Sequence, residues 1–217
     1  MSDLFSEVDE EVRRERLKKL WDKYSVYVIA LMVLIVAGVG GWRFYQYREA
    51  QKAAEVGAAF NRAAELSEQA KHAEAEAAFT ELAAKAPAGY RALARMRAAA
   101  EVVARDPKAA AKMFDDIAAD HSVGAELQEL ARIRAAMLLL DSASYADMQQ
   151  RLEASTTASS SFRHSAREML ALSAWRNGDM ATARKWLDAI AEDAQTPDSL
   201  QARARALQAL LPPVAKS

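Results

Sequence analysis

Hydrophobic and polar positions follow two different patterns along this chain. Tyr24 to Trp42 reads YSVYVIALMVLIVAGVGGW and carries no charge, between Lys23 and Arg43. At 1.5 Å per residue its 19 residues reach about 28 Å, close to the roughly 30 Å hydrocarbon thickness of a bilayer. A long core helix of a soluble domain usually keeps charges on one face, so this stretch reads as a membrane span. From Ala50 to Leu211 the chain is Ala-rich and almost free of β-branched runs. Turn signals interrupt it near Lys71-His72, Ala86-Pro87-Ala88-Gly89, Asp106-Pro107, His121 to Gly124, Asp141 to Ser144, Thr156 to Ser161, Asn177-Gly178-Asp179 and Thr196-Pro197. That pattern predicts helices of about 12 to 16 residues arranged as antiparallel pairs.

A cleaved leader is the alternative for the apolar stretch, because Gly38-Val39-Gly40 has the small-x-small form of a cleavage site. Against it, the stretch exceeds the 7 to 15 residues usual for a leader, and the region before it is long and of mixed charge. Tyr24, Tyr27, Trp42, Phe44, Tyr45 and Tyr47 gather toward its two ends, where amphipathic rings favour the headgroup level. Arg13, Arg14, Arg16, Lys18, Lys19 and Lys23 precede the span, and only Arg43, Arg48 and Lys52 follow it closely. This asymmetry predicts a cytoplasmic amino terminus and, in a bacterium, a periplasmic remainder. Residues 1–23 should be helical from about Glu7, capped by Ser6, with Leu4, Phe5, Val8 and Val12 available for docking. Ala37 and Gly41 are small residues four apart, a faint signal of helix pairing in the membrane.

Internal repetition orders the second region. Phe79, Phe114 and Met148 are spaced by 35 and 34 residues, and Leu187 follows after the Ser-rich insertion Ser155 to Ser161. Four residues before each stand Ala75, Ala110, Ser144 and Ala183. A small residue one turn before a large one suits a helix that a neighbour crosses closely. Pro87 closes the first unit eight residues after Phe79.

This combination resembles the tetratricopeptide repeat, and Asn177-Gly178-Asp179 before Ala183 resembles its inter-helix turn. The resemblance implies four units, at 54–87, 90–123, 125–154 and 162–196, and a capping helix from Pro197 to Leu211. The usual aromatic positions of the first helices are largely Ala, Arg or Leu, and the third unit is degenerate. The fold class expected is therefore all-α: a transmembrane helix, then a tetratricopeptide-like α-solenoid of about four helix pairs plus a capping helix. The domain plan is a tail at 1–23, span at 24–42, juxtamembrane helix at 43–53, repeat domain at 54–211 and tail at 212–217. Val8-Asp9-Glu10-Glu11, Leu17-Lys18-Lys19-Leu20-Trp21 and Gly40-Gly41-Trp42-Arg43-Phe44-Tyr45 also resemble the YfgM-like family. That resemblance implies a single-span inner-membrane protein with a periplasmic repeat domain, ancillary to the SecYEG translocon. Its partners would be translocon subunits, periplasmic chaperones and exported chains.

Composition removes several alternatives. From Arg43 onward 23 bases meet 23 acids, which argues against a nucleic-acid footprint. No cysteine is present, so thiol chemistry, disulfides and thiolate metal sites are excluded. Seven glycines, three of them in the span, leave no phosphate-binding loop. His72, His121 and His164 fall in different units, with no second ligand at metal spacing. Asp120-His121-Ser122 holds the residue types of a hydrolase triad, but adjacent positions cannot point at one another as the chemistry requires. Neither an enzyme, a cofactor nor a small-molecule substrate is expected.

What remains is protein binding. Stacked helix pairs present a concave surface lined by first helices, suited to extended or helical segments of other proteins. The repeat register places Phe60, Arg95, Val102, Ile133, Leu172 and Trp175 toward that surface, with core packing as the alternative for each. The expected function is a membrane-anchored adaptor that receives exported chains or chaperones at the translocon. The alternative is regulatory, with residues 1–23 sequestering a cytosolic factor while the solenoid senses the envelope.

Overall fold

A computed structural model describes residues 3–212, which divide into two compact units at 1–55 and 56–217. The chain is helical throughout, and no strand occurs among the described residues. The first helix, α1, spans Asp3–Glu68 and supplies the described part of the first unit and the opening of the second. Its span from Asp3 places Ser6 inside the helix and not at a cap before Glu7. Gly38, Gly40 and Gly41 do not interrupt the helix. The side chains of Leu4, Phe5, Val8 and Val12 and the tail after Pro212 lie outside the described residues.

Among the described residues one helix is long and apolar enough to cross a membrane. None of its most apolar 18-residue window is buried. Val26, Ile29, Leu31, Leu34 and Val36 are all exposed. Exposed aliphatic side chains in an unbroken run are costly in water, at about 25 cal/mol per Å², and cost nothing in hydrocarbon.

The second unit is a stack of helix pairs. The end of α1 pairs with α2 (His72–Lys85), α3 (Ala88–Val102) with α4 (Pro107–Ala118), and α5 (Ala125–Leu139) with α6 (Tyr145–Leu152). The fourth pair is α7 (Arg163–Arg176) with α8 (Met180–Ala191), and α9 (Asp198–Leu210) packs on α8. Asp106, Ser144 and Asp179 cap α4, α6 and α8 by accepting from backbone N–H groups inside the first turn. Lys71, at the same place before α2, makes no side-chain cap.

Counting from these four positions corrects the expected register of the third unit. The eighth residue after Lys71, Asp106 and Asp179 is Phe79, Phe114 and Leu187, all buried. After Ser144 the eighth residue is Leu152, also buried, whereas Met148 takes the place that Ala75, Ala110 and Ala183 hold elsewhere. Ser144 is an exposed cap and not the small packing residue. The Ser-rich stretch is no insertion either, because α6 stops at Leu152 and a 3₁₀ turn, Glu153–Thr156, replaces its last helical turn. Serine and threonine offer the backbone competing hydrogen bonds, and here Thr156 and Thr157 hydroxyls donate to the carbonyls of Glu153 and Ala154.

Each large residue of a second helix meets alanines of the next first helix. Phe79 and Leu82 share a cluster with Ala94 and Ala98, Phe114 and Ile117 with Ala131 and Ala135, Leu152 with Ala166, and Leu187 with Ala204. Phe79→Ala in such a site costs about 3–5 kcal/mol.

The turns between paired helices differ in one instructive residue. In the fourth pair Gly178 adopts φ 80° and the Asp179 N–H donates to Ala174 O at 2.9 Å. In the first pair the same turn is closed by Lys71 N–H donating to Leu66 O at 2.9 Å, but the left-handed position is Ala70, with φ 57°. A Cβ costs roughly 1–2 kcal/mol there, and glycine returns part of that gain as chain entropy. Ala70→Gly is therefore expected to raise stability by about 1 kcal/mol, read as a higher urea midpoint at an unchanged m-value. A lower midpoint would show that the turn is unstrained.

Candidate interaction surface

The six residues expected on one binding face are distributed through the stack. Phe60 is half-buried and meets Phe79 edge-on, ring centroids 5.2 Å apart, with Tyr90 at 6.2 Å. Arg95 is half-buried and donates to Asp120 Oδ2 at 2.5 Å and to Asp116 O at 3.3 Å. Val102 and Ile133 are core residues, at 2% and 4% exposure, because they face the neighbouring helices and not solvent. Leu172 and Trp175 are half-buried, and Trp175 packs against the cluster around Leu187. Phe60, Ile133 and Trp175 belong to three different clusters, so no single patch unites them.

A different set of side chains shares one register and faces outward. Arg97 and Arg134 are the tenth residues of α3 and α5, and Arg62 stands the same nine residues before Lys71 as Arg97 before Asp106. All three are exposed, and none forms a salt bridge among the described residues. Leu93 one turn before Arg97, and Met137 one turn after Arg134, are 44% and 54% exposed. Glu65, Glu68, Glu126 and Asp141 are among the exposed acids on these helices or at their ends. Counting from helix starts finds this set; the period of large residues does not, because it reports buried positions.

Several other arginines bind the stack to itself. Arg105 reaches Glu76 at 3.0 Å, Arg151 pairs with Asp115, and Arg203 pairs with Glu168. Arg176 donates to the carbonyls of Asp141 and Ala143 in the turn of the preceding pair. Most of these pairs are partly exposed, so each contributes little alone, and together they fix neighbouring helices in register.

Three polar clusters were candidates for chemistry. Asp120 Oδ1 accepts from the Ser122 hydroxyl at 2.7 Å and its N–H at 2.9 Å. Those bonds, with the Arg95 guanidinium, hold the carboxyl down at about 2. The serine therefore donates to the acid directly and closes a turn, with no histidine between them. Glu101 is buried and accepts from the Ser67 hydroxyl at 2.6 Å, with His72 Nδ1 at 2.7 Å. Serine and histidine both bind the carboxylate, so no imidazole activates the hydroxyl as nucleophilic catalysis requires. No group of three metal-ligating side chains occurs among the described residues.

The third cluster is the densest. Asp193 accepts from Arg163 at 2.8 Å and Arg167 at 3.0 Å, and its carboxyl is held well below the usual range, chiefly by Arg163. Arg167 also donates to Thr156 O and Ala189 O, joining the Ser-rich stretch, α7 and the end of α8. His164 lies beside it, mostly buried, with Nδ1 3.1 Å from Thr196 Oγ1. The Thr196 hydroxyl donates to Ile190 O at 2.7 Å, which leaves His164 Nδ1–H to donate to the threonine oxygen.

Paired helices stacked through alanine-lined contacts, with an outward face of cations and apolar side chains, define an α-helical repeat protein of the protein-binding class. A family model described as tetratricopeptide repeat-like domain matches residues 18–209, and the chain belongs to that family. No curated protein and no solved structure matches the chain.

Burial, then the Arg163 charge, pushes the His164 imidazole below 6.5. A histidine with a lowered folded value favours the native state fully above 6.5 and loses that contribution as pH falls through the folded value. Melting temperature should therefore fall between pH 7 and 5, and His164→Gln, which keeps a donor without a titrating ring, should flatten the fall. An unchanged slope in thermal melts followed by circular dichroism would place the titrating group elsewhere.

Proposed function

We propose that this is a membrane-anchored adaptor whose repeat domain binds other proteins. Residues 24–42 cross a bacterial inner membrane, 1–23 form a cytoplasmic tail, 43–53 a juxtamembrane segment, and 54–211 a periplasmic repeat domain. The observation that carries this reading is the union, in one chain, of an unburied apolar helix with a stack whose outward first-helix face holds, beside Leu93 and Met137, arginines without ion-pair partners among the described residues. Mixed cationic and apolar surface suits tolerant binding of extended or helical segments, in which specificity rests on a few anchors. Resemblance to the YfgM-like family supports exported chains or chaperones at the SecYEG translocon as the partners. The excess of basic residues before the span supports the orientation.

Protease added to spheroplasts with intact inner membranes is expected to degrade Ala50 to Ser217 while sparing the first 23 residues. Protection of the large domain until lysis would place it in the cytoplasm and remove exported clients from the reading. A photo-crosslinking residue at Leu93 or Met137 should capture periplasmic or translocon proteins, and Arg97→Glu with Arg134→Glu should reduce that capture severalfold.

A further inference from the structure

Among the described residues no helix pair precedes the first one in the stack, and its open side is shaped like the junctions between later pairs. Ala59, Ala63 and Leu66 of α1 and Ala78 and Leu82 of α2 line an open groove of about 300 Å³, edged by Arg62, Glu81 and Lys85. Thirty-five residues further on, the equivalents of Ala59, Ala63 and Ala78 are Ala94, Ala98 and Met113. Those three residues pack against the cluster of Phe79 and Leu82, the large side chains of the preceding second helix. Ala63 and Leu82 are already buried, but Ala59, Leu66 and Ala78 stay partly exposed, so the surface a preceding second helix would cover is left open among the described residues.

Charge decides what fits there. Lys85 is engaged by Glu81 at 2.6 Å, whereas Arg62 has no ion pair among the described residues. A second copy meeting this end by two-fold symmetry would offer Arg62, from its own groove edge, only Glu81, which Lys85 already engages. The capping helix α9 carries Arg203, which Glu168 engages, and Arg205, which would meet Arg62 as a like charge. We infer that this groove docks an amphipathic helix of a partner protein, carrying two large apolar residues three apart and acids on its flank. The inference rests on the protein-binding reading of the stack, but it concerns the end of the stack, which shares only Arg62 with the first-helix face, and it holds whichever side of the membrane the domain occupies.

The chain's own α2 is a suitable probe, because it has Phe79 and Leu82 three apart and three glutamates against one lysine. A fluorescein-labelled, side-chain-stapled peptide of sequence 72–85 is titrated with the detergent-solubilised full chain, and binding is read by anisotropy. The expected dissociation constant is on the order of micromolar, near −8 kcal/mol. Arg62→Glu should weaken binding at least tenfold, a peptide with its three glutamates changed to lysine should bind that variant better than wild type, and Ala59→Trp should abolish binding by filling the groove. Circular dichroism of each variant serves as the folding control, and Arg62→Glu, on an exposed position, should leave it unchanged. The inference is overturned if wild type does not bind the peptide, or if both variants bind it as wild type does. It is equally overturned if the full chain sizes as a dimer that Ala59→Trp converts to monomer, since a second copy would then occupy the groove.

Discussion

The repeat unit depends on one kind of contact: a large side chain eight residues into the second helix, seated on alanines of the next first helix. Phe79 on Ala94 and Ala98, and Phe114 on Ala131 and Ala135, set the pattern. Methyl-sized partners let helix axes approach closely, so the aromatic ring is surrounded and its burial is nearly complete. Because each contact joins only neighbours, stability is a sum of local terms, and each end of the stack is chemically different from its middle. At the carboxyl end α9 covers Leu187 with Ala204; at the amino end no described helix covers Ala59 and Ala78.

Polar side chains refine this arrangement. Arginines that reach the adjacent pair, such as Arg105 to Glu76 and Arg151 to Asp115, fix how one pair sits on the next. The third pair shows the division of labour. Its second helix is short, its packing alanine is replaced by Met148, and the Ser-rich stretch that follows is held by Arg167 through Thr156 O. Hydrogen bonds to charged donors here take over from a missing turn of apolar packing.

Function follows from what these requirements leave over. Arginines used for stacking are satisfied within the domain, whereas Arg62, Arg97 and Arg134 project outward without ion-pair partners among the described residues. The apolar helix in the other unit is likewise without a protein partner along its most apolar window. A helix long and apolar enough to cross a membrane and an open cationic and apolar face of the repeat domain are what this packing leaves without cover among the described residues.

The linear sequence by itself determined the elements. Uncharged length marked the apolar helix, proline, glycine and polar clusters marked the turns, and the recurrence of Phe79 and Phe114 marked the paired-helix fold. These are local properties, set by helix period and by what a backbone can do at Pro87 or Gly178. Register and surface were decided only in three dimensions. Met148 and Leu152 are both apolar and one turn apart, and either satisfies the periodicity; the Ser144 cap fixes which one takes the place of Phe79. Val102 and Ile133 read like Leu93 and Met137 in sequence, yet the first two are enclosed by neighbouring helices and the second two are not. Whether an apolar or cationic residue serves the core, a neighbouring repeat or a partner depends on what lies opposite it, and that is a property of helix packing between segments some 35 residues apart.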